Sequence, residues 1–170
     1  RKDPRKIVFA EAENQKILRA AQMALEEGVA FPILLGNPIK INSIAEANGI
    51  DIQNMPVIDP KSDDLVEKRK EFGEIFFQKR QRKGFNHYES IRIMKDRNYF
   101  GCMMVETGEA DAMISGLSKN YPDTVRPALQ IIGLEPSAKK VAGMYIIMTK
   151  KGPLFIADAT VSFNPTAEEL

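Results

Sequence analysis

Short unbroken apolar runs alternate with stretches in which apolar positions recur every three or four residues, and this alternation organises the first third of the chain. Lys6-Ile7-Val8-Phe9-Ala10 is a β-forming run of the kind expected for a strand covered on both faces. From Asn14 to Glu27, Ile17, Leu18, Ala21, Ala24 and Leu25 share one helical stripe, and Gly28 stands where a C-terminal cap belongs. Phe31 to Leu35 reads as a second strand closed by Gly36, a weaker helix follows Pro38 to about Asn48, and Met55 to Ile58 reads as a third strand. Strand, helix, strand with short connectors predicts a parallel sheet covered by helices.

The middle of the chain reads as helical. Asp63 to Lys83 carries Leu65, Phe72 and Phe76 on one face, opens on acidic residues and closes on basic ones, as the helix dipole prefers. Tyr88 to Asp96 and Tyr99 to Thr107 predict two more helices. Ala112-Met113-Ile114 returns to strand, ended by Ser115-Gly116. Val141 to Met148 and Leu154 to Ala157 predict a hairpin turning at Lys150-Lys151-Gly152-Pro153. Asn164-Pro165, followed by Glu168 and Glu169, has the chemistry of a helix start just before Leu170, so a fold truncated before its final segment is expected.

Composition narrows the picture without naming a ligand. The 170 residues are 44% hydrophobic and 28% charged, with a net charge of +1, so no basic field points to nucleic acid and any polyanion needs a local cluster of cations. One cysteine, Cys102, excludes an internal disulfide and suits a reducing compartment. No apolar run approaches the ~18 residues of a membrane span, so a cytoplasmic protein is expected, with no membrane or nucleic-acid partner.

The richest chemistry lies in Ser115-Gly116-Leu117-Ser118-Lys119-Asn120-Tyr121-Pro122-Asp123-Thr124-Val125-Arg126-Pro127. This segment leaves the carboxyl end of a predicted strand and enters a helix, where ligands bind in open α/β sheets. Its free amides favour an anion, and Lys119, Asn120, Thr124 and Arg126 add donors suited to phosphate or carboxylate. Two helix starts fit: Asp123 as the N-cap, or Pro127 as the first helical residue. Either puts Arg126 at a positive helix end, where a cation needs an anionic partner; a ligand and a carboxylate such as Glu109 or Asp111 both qualify. A second basic cluster, Lys79-Arg80-Gln81-Arg82-Lys83, closes the long helix as a solvated face or as a source of cations for a phosphate-rich ligand. His87, the lone histidine, has no partner at metal-ligand spacing, and Cys102 reads as a buried core thiol.

Two blocks give these residues a family likeness. Ser115-Gly116 with Asp123-Thr124, Arg126-Pro127-Ala128-Leu129-Gln130-Ile131-Ile132, then Phe155-Ile156-Ala157-Asp158 with Asn164 to Leu170, resemble the phosphate acetyl/butyryl-transferase family; Lys6 to Glu11 and Asn98-Tyr99-Phe100-Gly101 match as well. The resemblance spans the chain. It implies an α/β parallel-sheet sandwich similar to the isocitrate/isopropylmalate dehydrogenase-like fold, with residues 1–132 in a first domain lacking its closing segment and 133–170 beginning a second. It also implies an acyl-CoA or phosphate site containing Arg80, Ser115, Lys119, Asn120, Thr124 and Arg126, with Arg80 and Arg126 as the two binding arginines. No catalytic or metal-ligating residue is expected in this segment.

One departure directs the functional expectation. Where the transferases carry His-Ser-Thr or His-Thr-Thr, this chain has Lys119-Asn120-Tyr121-Pro122, and Asn-Tyr-Pro-Asp resembles the C-terminal domain of large bacterial malic enzymes. That likeness implies an acetyl-CoA-binding regulatory and oligomerisation domain, joined to a malic-enzyme catalytic domain in the same chain and assembled as a homo-oligomer. The parent would oxidise and decarboxylate malate to pyruvate with NADP and Mg or Mn, none of them bound by this segment, with acetyl-CoA as effector. The alternative is a phosphate acetyltransferase moving acetyl between CoA and phosphate.

Overall fold

The computed structural model describes residues 4–138, 140–157 and 166. The chain divides into two compact units, 1–132 and 133–170. The expected helix start at Asn164-Pro165 lies outside the described residues.

In the first unit β1 (Arg5–Phe9) pairs in parallel with β2 (Ala30–Leu35) on one side and β4 (Ala112–Ile114) on the other, and β2 pairs in parallel with β3 (Val57–Ile58). The order is β3-β2-β1-β4. Among the described residues six helices accompany it: α1 (Gln15–Glu26), α2 (Pro38–Ala47), α3 (Val66–Arg80), α4 (His87–Ile93), α5 (Arg97–Glu106) and α6 (Tyr121–Ile131). The strands read as unbroken apolar runs because both faces are buried. Val8, Ile33 and Leu35 pack in one cluster with Phe72, Phe76, Phe100 and Met103 of α3 and α5. Phe9 and Leu34, one residue out of phase, pack with Leu18, Ala21, Ile41 and Ala45 of α1 and α2. Each fully buried large side chain contributes about 1.5–3 kcal/mol. Gly101 permits a close helix–sheet approach: a Cβ there would lie 2.6 Å from Met113 Sδ and 3.2 Å from Val8 Cγ1.

Sequence boundaries shift where capping chemistry decides them. Asn14, Asn37, Asn86 and Asp96 cap α1, α2, α4 and α5 through their side chains, and Asn86 forms a reciprocal capping box with Glu89. The long helix predicted from Asp63 to Lys83 is α3 flanked by a 3₁₀ turn at each end, Asp63–Leu65 and Gln81–Lys83.

The larger correction concerns α6. Its N-cap is Asn120, whose side chain accepts from the Asp123 amide at 3.0 Å, so neither Asp123 nor Pro127 begins it. Pro127 sits inside the helix, where it has no N–H to offer the Asp123 carbonyl. The fully buried Asn98 replaces that donor: its Nδ2 reaches Asp123 O at 3.2 Å, while its Oδ1 accepts from Ser115 Oγ at 2.8 Å.

The second unit contains an antiparallel hairpin of β5 (Met144–Thr149) and β6 (Gly152–Ala157), with Met144 opposite Ala157 and Thr149 opposite Gly152. The predicted hairpin is present with its turn at Lys150-Lys151. Its apolar residues, including Met148 and Phe155, are exposed, as a two-stranded ribbon by itself can bury neither face.

Candidate functional site

The strand order reverses between β1, whose helix leads back to β2, and β4, on its other side. The carboxyl ends of these two strands therefore form a topological switch point. Glu11 follows β1 there, and Ser115 to Ser118 follow β4.

From the sequence, the free amides of this loop suit an anionic ligand. In the fold the anion is Glu11. Its carboxylate accepts from the amides of Gly116 at 2.9 Å, Leu117 at 2.7 Å and Ser118 at 3.0 Å, and from Ser118 Oγ at 2.5 Å. Burial pushes the Glu11 carboxyl up, but these hydrogen bonds outweigh it and hold the group below the usual carboxylate range. Gly116, at φ +109°, supplies the left-handed backbone that turns successive amides toward one point. Nothing in the local sequence separates Glu11 from any other acidic residue; its partners lie more than a hundred positions downstream.

The other predicted site residues divide into those that build the loop and those that face solvent. Ser115 is tied to Asn98, Asn120 caps α6, and Thr124 Oγ1 donates to Asn120 O at 3.1 Å. Lys119 Nζ lies 3.0 Å from Asp96 Oδ2. Arg80, expected beside Arg126 as a ligand-binding cation, is committed elsewhere: its Nε donates to Gln130 O and its Nη2 to Leu129 O, both at 2.7 Å. The neighbouring Lys79 donates to Ile131 O at 2.9 Å and pairs with Glu106. The basic end of α3 thus caps the carbonyls at the end of α6, where the helix dipole is negative.

Arg126 is exposed on the second turn of α6, too far along for the helix N-terminus to penalise its charge. The proposed carboxylate partners are taken: Glu109 pairs with Lys68 at 2.5 Å and Asp111 with Arg5 at 3.5 Å. Among the described residues Arg126 has neither an ion-pair nor a hydrogen-bond partner. With Arg80, Tyr121, Pro122, Val125 and Leu129 it lines an open cavity of about 450 Å³. A smaller recess of about 140 Å³ joins Arg126 to Asp96, Tyr99 and Lys119. Burial holds the Tyr99 hydroxyl above its usual range although the Arg126 charge opposes this, and that hydroxyl lies 2.6 Å from Gln130 Oε1.

Other candidate groups are structural. His87 stacks on Phe77 with centroids 3.8 Å apart and lies 3.2 Å from Glu74. Cys102 is buried, and burial pushes its thiol up to about 12. Among the described residues no group of three or more His, Cys, Asp and Glu could hold a metal, and no helix is long and apolar enough to cross a membrane.

The sequence pattern of the phosphate acetyl/butaryl transferase family matches residues 1–170. The chain belongs to this family. A phosphate acetyltransferase of Thermoanaerobacterium thermosaccharolyticum is 37% identical over 172 residues, covering 98% of this chain and 51% of the relative. One from Corynebacterium glutamicum is 35% identical over 164 residues, covering 96% and 49%. The EutD phosphotransacetylase of Staphylococcus aureus superposes with a TM-score of 0.84 at 28% identity, covering 98% of this chain and 49% of that structure. A phosphotransacetylase from Streptococcus pyogenes does so at 0.82 and 30%, covering 98% and 50%. The chain spans about half the length of these two curated relatives.

These relatives overturn the malic-enzyme reading. They carry transferase names, and they resemble this chain despite its Lys119-Asn120-Tyr121-Pro122 loop, so that departure does not mark a regulatory domain of an oxidoreductase. The expected malic-enzyme catalytic partner falls with it, and the NADP, the Mg or Mn and acetyl-CoA as an effector lose their basis.

Proposed function

We propose that the chain is part of a phosphate acetyltransferase, which moves an acetyl group between CoA and inorganic phosphate, and that the cavity beside Arg126 binds an anionic part of the substrates. Family membership supports the reaction class, and the observation that carries the site is Arg126 itself. It is an exposed guanidinium without a protein partner among the described residues, set in a concave wall on a helix clamped at both ends. Clamping places the cation before the ligand arrives, so little ordering is needed on binding. Acetyl-CoA enters this reading as a substrate. Lys119 is a second donor, held by Asp96 until an anion competes for it. Ser115, Asn120 and Thr124 act by shaping the loop, and Arg80 by fixing α6.

The finer fold reading, a first α/β domain of the isocitrate/isopropylmalate dehydrogenase-like type followed by the start of a second, draws support from the β3-β2-β1-β4 order and the division after Ile132.

The test is Arg126→Ala in the whole protein, assayed for acetyl phosphate formation from acetyl-CoA and phosphate. Losing a charged hydrogen bond costs about 1.5–3 kcal/mol, so substrate affinity falls roughly ten- to hundredfold. Arg126→Lys recovers part of the loss if the contact is bidentate. Wild-type kinetics in Arg126→Ala would remove Arg126 from the site; absence of acetyl phosphate formation by the unaltered protein would remove the transferase reading.

A further inference from the structure

Across the loop from Arg126 lies a second cavity, of about 400 Å³, at the carboxyl ends of β1 and β4; its wall includes Glu11, Glu13, Lys61, Lys95, Arg97 and Lys119. Asp96 and Lys119 line both this cavity and the small recess at Arg126.

The charges in this wall are not equivalent. Glu11 is saturated by the loop amides. Glu13 accepts from the Asn37 amide at 2.9 Å and pairs with Arg97 and, at 3.9 Å, with Lys40; burial opposes its ionisation, but these partners leave it below the usual range. Asp96 caps α5 through one oxygen and holds Lys119 with the other. All three carboxylates are therefore satisfied within the protein.

Lys61 and Lys95 are the cations left over. Among the described residues neither ammonium has an ion-pair or hydrogen-bond partner. Both nevertheless stand on fixed backbone. The turn bearing Lys61 is clamped by Arg69, 5% exposed, whose Nη1 donates to Pro60 O at 2.8 Å and to Ser62 O at 2.5 Å. Lys95 occupies the turn between α4 and α5, anchored by the fully buried Met94 and by the Asp96 amide on Ile93 O at 2.9 Å. Two uncompensated cations on rigid turns thus face a concave space of small-molecule size at the switch-point edge of the sheet.

We propose that this cavity is a second anion site, taking a phosphate dianion, free or carried as a phosphate monoester, between Lys61 and Lys95. Lys119 is within the same wall and links it to the Arg126 recess. The proposal does not depend on the transferase reading.

The experiment is a titration of the protein with inorganic phosphate and, in a separate arm, ribose 5-phosphate, at constant ionic strength with chloride as the control. Amide chemical shifts of Arg97, Ser118 and Lys119 report binding. We expect saturable shifts at Arg97 in the unaltered protein and at least tenfold weaker binding there in Lys61→Ala/Lys95→Ala. Both lysines are exposed, so the double variant retains the fold, as a circular dichroism melt would verify. Tighter binding of ribose 5-phosphate identifies a monoester as ligand, and equal binding identifies free phosphate. No saturable shift, or undiminished binding in the double variant, would each overturn the proposal.

Discussion

Arg80 and Arg126 line one cavity, and the family resemblance implies a pair of binding cations. The fold treats them differently. Arg80 points at the carboxyl end of α6, where three consecutive carbonyls without helical partners accept from it and from Lys79. Arg126 rises from the middle of the same helix, where the backbone acceptors are already used. The same guanidinium is therefore a structural strut at one place and a cation without a protein partner among the described residues at the other. What faces it decides, and residue type does not.

Three measurements test how far that contrast holds. The largest effect is expected at Asn98, which supports the proline-interrupted end of α6. Asn98→Ala leaves both the Asp123 carbonyl and the Ser115 hydroxyl without their buried partner, for a loss of about 2–4 kcal/mol in denaturant unfolding. A loss below 1 kcal/mol would mean that water or a shift of α6 replaces the amide.

The contrast itself is tested next. Arg80→Ala removes two charged hydrogen bonds to carbonyls and lowers stability by about 1.5–3 kcal/mol. Arg126→Ala, with no protein partner to lose among the described residues, stays within about 0.5 kcal/mol of the unaltered protein. Equal destabilisation by the two substitutions would abolish the distinction.

The smallest effect is the pH dependence from Glu11. Its folded-state pKa lies below the ordinary value of 4.5, so the folded protein binds the proton less readily than the unfolded chain. The stability it contributes is complete above that value and is lost as pH falls through the lower folded-state pKa. Glu11→Gln removes this part of the acid sensitivity, leaving the similarly lowered Glu13 to supply its own. Identical slopes of stability against pH below 4.5 in the two proteins would show that the carboxylate is not held as described.

The sequence by itself determined the alternation of elements and the family. Apolar runs at Lys6–Ala10 and Phe31–Leu35 and the stripe through Leu18 and Ala21 read correctly because burial imposes a period that survives in one dimension. The hairpin was legible because its turn depends on near neighbours.

Only the tertiary structure decided what each polar group does. Pro127 looked like a helix start because its defect is local, while its remedy, Asn98, comes from another helix. The loop amides looked free because their acceptor, Glu11, is 105 residues or more away along the chain. Arg80 and Arg126 looked alike because charge is a property of a residue and availability a property of its surroundings. Hydrogen bonds and ion pairs are satisfied in three dimensions by whichever group the packing brings within 3 Å or so, and spacing along the chain carries no record of that choice.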